Sequence, residues 1–253
     1  MPPPPSKIHT LIVSDIHLGF SMSRSKELLE LLRVIQCKKL IILGDLFDDR
    51  NWSRLGTEAW SFLSHIHEMS NGNHNTEIIL IRGNHDHKLI EPMSRLLGVA
   101  VTDEYEWVYN SKRFIAVHGD RFDKTLVRSS FWGNLFFLPL FLISKLDFKK
   151  KRKSINAAER FRSYWLRLSP IVAKRAAEYA HKKGADYIIC GHTHVPMTKS
   201  FIMGNKDKDI EDSEIHYFNS GSWTALPASY IVIDNGKVEL KYYEGEQKAE
   251  HLL

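Results

Sequence analysis

The chain has 253 residues and a mass of 29.3 kDa, long enough for one α/β core carrying an insertion. Hydrophobic residues at 43% and charged residues at 26% exclude a disordered, collagen-like or polytopic membrane chain. Net charge is +5, but residues 145–175 hold 11 Lys and Arg against Asp147 and Glu159, a local +9 within a remainder of −4, so a localised anionic partner is expected.

From the amino end, Ile8 to Ser14 reads as a strand, Ser25 to Ile35 as an amphipathic helix, Leu40 to Leu43 as a strand, Ser53 to Met69 as a helix, Glu77 to Ile81 as a strand and Lys88 to Leu97 as a helix, a βαβαβα order. The strands are rich in Ile, Leu and Val with little alternation, which predicts interior strands covered on both faces. Each ends in a polar cluster: Ser14 to Gly19, Gly44 to Asp48, and Gly83 to Asp86. In open α/β sheets ligands bind beyond the carboxyl ends of the strands, so these clusters predict one site. The apolar run Phe114 to Val117 leads into His118-Gly119-Asp120, and residues 126–183 then read as a helical insertion within a single domain spanning 1–253. Tyr187 to Cys190 leads into Gly191-His192-Thr193-His194. Met197 to Met203, Ile215 to Phe218, Ser229 to Ile233 and Val238 to Tyr243 read as an antiparallel sheet, with Asp234-Asn235-Gly236 as a hairpin turn.

The start, Met1 to Lys7, lacks a charged segment followed by an apolar one, so a cytoplasmic protein is expected. Cys37 and Cys190 adjoin apolar runs and cannot build a disulfide framework, which agrees with a reducing compartment and leaves no thiolate for a metal.

Asp, Asn and His recur at the ends of five predicted strands, and carboxylate, amide oxygen and imidazole suit Mn, Fe, Zn or Ni. Asp15 and His17 are two apart in an extended segment, which puts both side chains on one face; His192 and His194 repeat the spacing. Asp45 can bridge two ions with its two oxygens. Taken singly, an Asp-x-His or a Gly-Asn-His-Asp is an ordinary turn; five such clusters in order, each after an apolar run, are not.

This ordered set resembles the calcineurin-like metallophosphoesterase family over nearly the whole chain. The resemblance implies an α/β fold of two mixed sheets flanked by helices, with a dinuclear metal centre at the strand ends. It implies Asp15, His17, Asp45 and His194 as ligands of a first divalent ion and Asp45, Asn84, His118 and His192 as ligands of a second, with Mn the expected metal. Two such ions orient a nucleophile in line with phosphorus and neutralise charge there. His85 is expected to bind an oxygen or protonate the leaving group, with Asp86 orienting its ring. Asp48 and Asp120 are candidates to support the ligands.

Phe131 to Ile143 is the most apolar stretch, in a sixteen-residue segment to Leu146 that includes Lys145 and is followed by Lys149, Lys150, Lys151, Arg152 and Lys153. It falls short of the roughly 20 apolar residues that span a membrane. Beside a basic run it predicts peripheral contact of residues 131–153 with an anionic membrane surface on the cytoplasmic side of the inner membrane. Within the family, an insertion after His-Gly-Asp resembles that of the UDP-2,3-diacylglucosamine pyrophosphatases of lipid A synthesis. That likeness implies cleavage of a nucleotide glycolipid to UMP and 2,3-diacylglucosamine 1-phosphate, with a lid over the acyl chains. Those enzymes commonly carry Arg where this chain has His85, and their carboxyl end differs from Tyr217 to Trp223. Arg160, Arg162 and Arg167, with Tyr164 and Trp165, are candidates to contact a phosphate or base. The alternatives are a soluble phosphodiesterase or phosphatase acting on nucleotide, protein or nucleic acid, and a metal-free interaction scaffold. No recognisable module supports nucleic-acid binding.

Overall fold

The computed structural model describes residues 6–49, 51–71, 76–86, 89–123, 151–204 and 212–245; for Ser6 and residues 151–162 it describes the backbone alone. Eleven strands and four α-helices follow in chain order among these residues. They are β1 (Ser6–Val13), α1 (Ser25–Val34), β2 (Ile35–Leu43), α2 (Thr57–Asn71), β3 (Glu77–Ile81), α3 (Ile90–Leu97), β4 (Ala100–Thr102), β5 (Tyr105–Tyr109), β6 (Lys112–Ala116), α4 (Lys151–Lys183), β7 (Tyr187–Cys190), β8 (Met197–Met203), β9 (Ser213–Asn219), β10 (Ala228–Asp234) and β11 (Lys237–Tyr243).

Two mixed sheets form, a six-stranded one in the order β11-β10-β1-β2-β3-β4 and a five-stranded one in the order β5-β6-β7-β9-β8. The buried residues sort by strand parity, because successive side chains leave opposite faces. Leu11, Leu40, Ile42, Ile78 and Leu80 face the layer that includes Leu28 of α1, Phe62 of α2 and Met93 of α3. Their neighbours Ile12, Ile41, Leu43, Ile79 and Ile81 face the other sheet, where they join Phe114, Ile189 and Phe218. The outer face of the five-stranded sheet packs Ile115, Ile188 and Tyr217 against Trp165, Val172, Ala176 and Ala180 of α4. The result is helices, sheet, sheet and helix in layers, with the first three strands buried on both faces as expected.

Two elements went unread. β4 has only three residues, and in β5 only Trp107 is buried, so neither carries an apolar run. The carboxyl-terminal strands do not make one antiparallel sheet. β8 and β9 pair antiparallel in the five-stranded sheet, while β10 and β11 pair antiparallel at the edge of the other. The hairpin turn between β10 and β11 is as expected, with Asn235 at φ 48° and Gly236 at φ 77°.

Of the expected insertion, residues 151–183 form one helix; residues 124–150, which hold the segment 131–146 and the start of the basic run, lie outside the described residues. Among the described residues no helix is long and apolar enough to cross a membrane.

Candidate metal centre

The loops that leave β1, β2, β3, β6 and β7 at their carboxyl ends meet at one point. Asp15, His17 and His194 have ligand atoms within 4.8 Å of one another, and so do Asp15, Asp45 and His118. Asn84 completes the second group, its Oδ1 lying 3.2 Å from His118 Nε2 and 3.1 Å from His192 Nδ1. All seven sequence-predicted ligands therefore converge.

Their backbone is unusual. Asp15, His17, Asp45, His192 and His194 all have φ between 50° and 67°, the left-handed region that side chains rarely adopt. This corrects the expectation of extended Asp15-x-His17 and His192-x-His194 segments: the paired side chains converge through left-handed turns. Such residues cost on the order of 1–3 kcal/mol each and persist where the surroundings over-determine them, as at ligand clamps. Two glycines make room. A Cβ on Gly44, which has φ 83°, would lie 2.3 Å from His118 Nδ1, and one on Gly83 would lie 2.2 Å from Asp45 Oδ1.

Each buried carboxylate has one oxygen held by backbone and one facing the cluster. His192 N–H donates to Asp15 Oδ2 at 3.0 Å, and His85 N–H donates to Asp45 Oδ1 at 2.7 Å. Asp15 Oδ1 then lies 3.1 Å from His194 Nε2 yet has no hydrogen-bond partner. Asp45 Oδ2 lies 3.8 Å from His17 Nε2 and 3.4 Å from His118 Nε2. The bridging position of Asp45 is thus offered by one oxygen facing both groups rather than by two. Burial alone would raise the Asp15 carboxyl, but the His194 imidazole, with His118 behind it, holds it at about 2. Burial likewise works against Asp45, and His118, with His85 and His17, keeps it well below the usual carboxylate range. Both are anionic at neutral pH.

His118 is aimed by its outer nitrogen, Nδ1, which sits 3.0 Å from the Leu43 carbonyl and leaves Nε2 directed inward; His17 Nδ1 makes no hydrogen bond and lies 3.6 Å from Asp48 Oδ1. His17 Nε2 and His194 Nε2 face each other at 3.3 Å. An orphaned buried carboxylate oxygen, opposed imidazole nitrogens and an amide oxygen between two rings are a donor set that suits divalent cations of the Mn, Fe or Zn kind. The residues fit two such ions.

His85 stands at the edge of this cluster, edge-on to His17 with ring centroids 4.9 Å apart. Its Nδ1 lies 2.9 Å from the Asp48 backbone carbonyl. Asp86 does not orient it. That carboxylate is buried and accepts from Phe47 N–H at 3.0 Å and Gly83 N–H at 2.8 Å, so it ties the second ligand loop to the third. Burial and the nearby Asp45 charge push Asp86 up to about 6 despite those bonds. Asp48 is braced by Arg54 Nη1 at 2.7 Å, and Asp120 opens the short 3-10 turn Asp120–Phe122 after His118-Gly119.

Trp165 of α4 is buried against the site, with its ring 5.4 Å from His192 and 6.0 Å from His194. Arg167 is exposed and lies roughly 200° around the helix from Trp165, so it points away from the site, contrary to expectation. The side chains of Arg160 and Arg162 lie outside the described residues. Tyr217 to Trp223 supports the ligand loops: Asn219 Nδ2 donates to the Gly191 carbonyl at 2.6 Å, and Trp223 N–H donates to the Asp15 carbonyl at 3.1 Å. Sequence reading missed Asp123, which lies 3.4 Å from His192 Nε2. Its only signal was a second acid three residues behind Asp120.

Solved structures similar to this chain include the phosphoesterase Yfce of E. coli, at 19% identity and a TM-score of 0.47 over 89% of this chain and 88% of that one. An archaeal phosphodiesterase is 16% identical with a TM-score of 0.44, over 92% and 99%. Vps29 of Entamoeba histolytica complexed with zinc is 16% identical with a TM-score of 0.42, over 92% and 97%. No curated protein gives a significant match. The profile described as calcineurin-like phosphoesterase matches residues 8–196, from β1 through the His192–His194 loop, and the chain accordingly belongs to that family of hydrolases.

Proposed function

We propose that this protein is a two-metal phosphodiesterase or phosphatase whose leaving group is an alkoxide-like oxygen protonated by His85. The observation that carries the reading is the convergence of two buried carboxylates, one amide and four imidazoles on two adjoining points, with a fifth imidazole beside them. The two ions, Mn by preference, supply Lewis acidity that activates water at neutral pH and charge that stabilises in-line displacement at phosphorus. Asp15, His17, Asp45 and His194 hold one, and Asp45, Asn84, His118 and His192 the other. With Nδ1 engaged by the Asp48 carbonyl, Nε2 is the His85 nitrogen left to reach a substrate oxygen. There, as the imidazolium with Nδ1–H donating to the Asp48 carbonyl, it donates a hydrogen bond from Nε2 to the phosphoryl group and then gives that proton to the departing oxygen, leaving the neutral ring, a role that matters most for poor leaving groups. Asp48 and Arg54 hold the loop that aims it.

A second reading is cleavage of UDP-2,3-diacylglucosamine at the cytoplasmic face of a membrane. Tyr164, Leu166 and Ile171, between 43% and 47% exposed on α4 just beyond the basic run, favour it, since a peripheral contact needs apolar side chains beside cations. In either reading the chain is one catalytic domain with an insertion at 126–183, and the two buried free cysteines support a reducing, cytoplasmic setting.

The test is product analysis with Mn-loaded and metal-stripped protein on bis(p-nitrophenyl) phosphate, an alkyl phosphodiester and UDP-2,3-diacylglucosamine in detergent. Metal-dependent turnover of the simple diesters without UMP release supports the first reading. UMP release from the glycolipid at a rate exceeding diester turnover supports the second. Turnover of none of the three contradicts both.

A further inference from the structure

Asp123 is the buried acid at this site to which the chemistry above gives no role. Its side chain is fully buried, and Oδ2 lies 3.4 Å from Nε2 of His192. The other ring nitrogen, Nδ1, lies 3.1 Å from Asn84 Oδ1, the same oxygen that His118 Nε2 approaches to 3.2 Å. A neutral imidazole carries its hydrogen on one nitrogen and its lone pair on the other, and a carboxylate only accepts. Facing Asp123, Nε2 is the nitrogen that carries the hydrogen, so the lone pair of Nδ1 is directed at the point shared with Asn84 and His118.

We propose that Asp123 is a positioning residue of the second metal site, fixing both the tautomer and the ring orientation of His192. The inference rests on the dinuclear reading of the centre. It matches how His118 is aimed, by the Leu43 carbonyl behind its Nδ1. Outer hydrogen-bond partners of this kind orient ligating imidazoles and raise their basicity.

The surroundings hold Asp123 in place from two directions. Gly119, at φ 111°, turns the chain into the 3-10 turn, and Asp123 N–H donates to the Asp120 carbonyl at 2.9 Å. Arg175 of α4 donates from Nη1 to the Phe122 carbonyl at 2.8 Å. The His192 ring is further confined edge-on by Trp165 at 5.4 Å and by His118 at 5.3 Å. Through Arg175 and Trp165, α4 therefore contributes to the second metal site, with no candidate ligand among its described side chains.

The test compares wild type with Asp123→Asn and Asp123→Ala by calorimetric titration of metal-stripped protein with Mn2+ alone, and by 15N NMR of His192 in the stripped proteins. The wild type is expected to bind two ions and to show His192 protonated at Nε2. The variants are expected to bind one ion as before and the other about 10–100-fold more weakly, with the His192 signal moved toward the other tautomer or toward exchange between the two. Melting of the stripped proteins reports folding; should Asp123→Ala fail to fold, the near-isosteric Asp123→Asn carries the comparison. Two ions bound as tightly in Asp123→Asn as in wild type, with an unchanged His192 signal, would overturn the proposal and leave the metal centre standing. Fewer than two ions in the wild type would overturn both.

Discussion

The six-stranded sheet delivers Asp15, His17, Asp45 and Asn84 from the ends of β1, β2 and β3, whereas the five-stranded sheet delivers His118, His192 and His194 from the ends of β6 and β7. The first half supplies both carboxylates and the amide; the second supplies imidazoles alone. Contacts across the seam join them, His192 N–H to Asp15, His194 Nε2 beside Asp15 Oδ1, and His118 Nε2 beside Asp45 Oδ2. Neither sheet alone holds a complete ligand set. The centre therefore exists only when the sheets pack through the layer of Ile12, Ile41, Phe114 and Ile189, which makes the apolar core a condition of the chemistry.

Breaking the half that supplies the anions has the largest expected effect. Asp45→Ala removes the oxygen that faces both ligand groups. We expect diesterase activity at background and fewer than two bound Mn ions by elemental analysis, with near-native circular dichroism; two retained ions would contradict the shared role of Asp45. Gly44→Ala attacks the seam itself, since the added Cβ meets His118 2.3 Å from Nδ1 at a left-handed position. Loss of the second ion and a lowered melting temperature are expected together, and a fully active, unshifted variant would show that the seam yields.

His85→Ala leaves both halves intact and removes the group beside them. Turnover should fall by about 10²–10⁴-fold with two ions retained, and the loss should be smaller for a p-nitrophenyl leaving group than for an alkyl one. Equal losses on both would reassign His85 to binding. Phe62→Ala, in the helix layer away from the seam, should cost about 3–5 kcal/mol in urea unfolding while leaving the metal affinities of the folded protein unchanged. The smallest effect concerns thiols. Burial pushes Cys37 up to about 12 and raises Cys190 strongly, so a thiol reagent should label neither in the native protein at pH 8 and both after unfolding.

The seven converging residues were legible because each follows an apolar strand, and strand ends are where an α/β sheet gathers side chains. Their left-handed backbone was not, since nothing in Asp15-Ile16-His17 distinguishes a left-handed turn from an extended segment until Gly44 and Gly191 close around it. β2 begins five residues before its apolar run because Ile35, Gln36 and Cys37 pair with Ser6, Lys7 and Ile8 of β1, and its polar Lys39 lays its ammonium 2.6 Å from the Tyr105 hydroxyl of the other sheet. Asp123 was missed and Asp86 misassigned for a related reason. An acid's role depends on which N–H groups lie within about 3.5 Å, and for each acid one of them belongs to a residue far along the chain, Phe47 at 39 positions from Asp86 and His192 at 69 from Asp123. Arg167 was misplaced because charge density along a segment does not specify which face of α4 is buried.

The most direct measurement is anomalous diffraction from crystals grown with Mn2+. Two Mn peaks roughly 3.5–4 Å apart, both next to Asp45 Oδ2, with one beside His17 and His194 and the other beside Asn84, His118 and His192, are the result predicted here. A single peak, or two that do not share Asp45, would contradict the dinuclear centre.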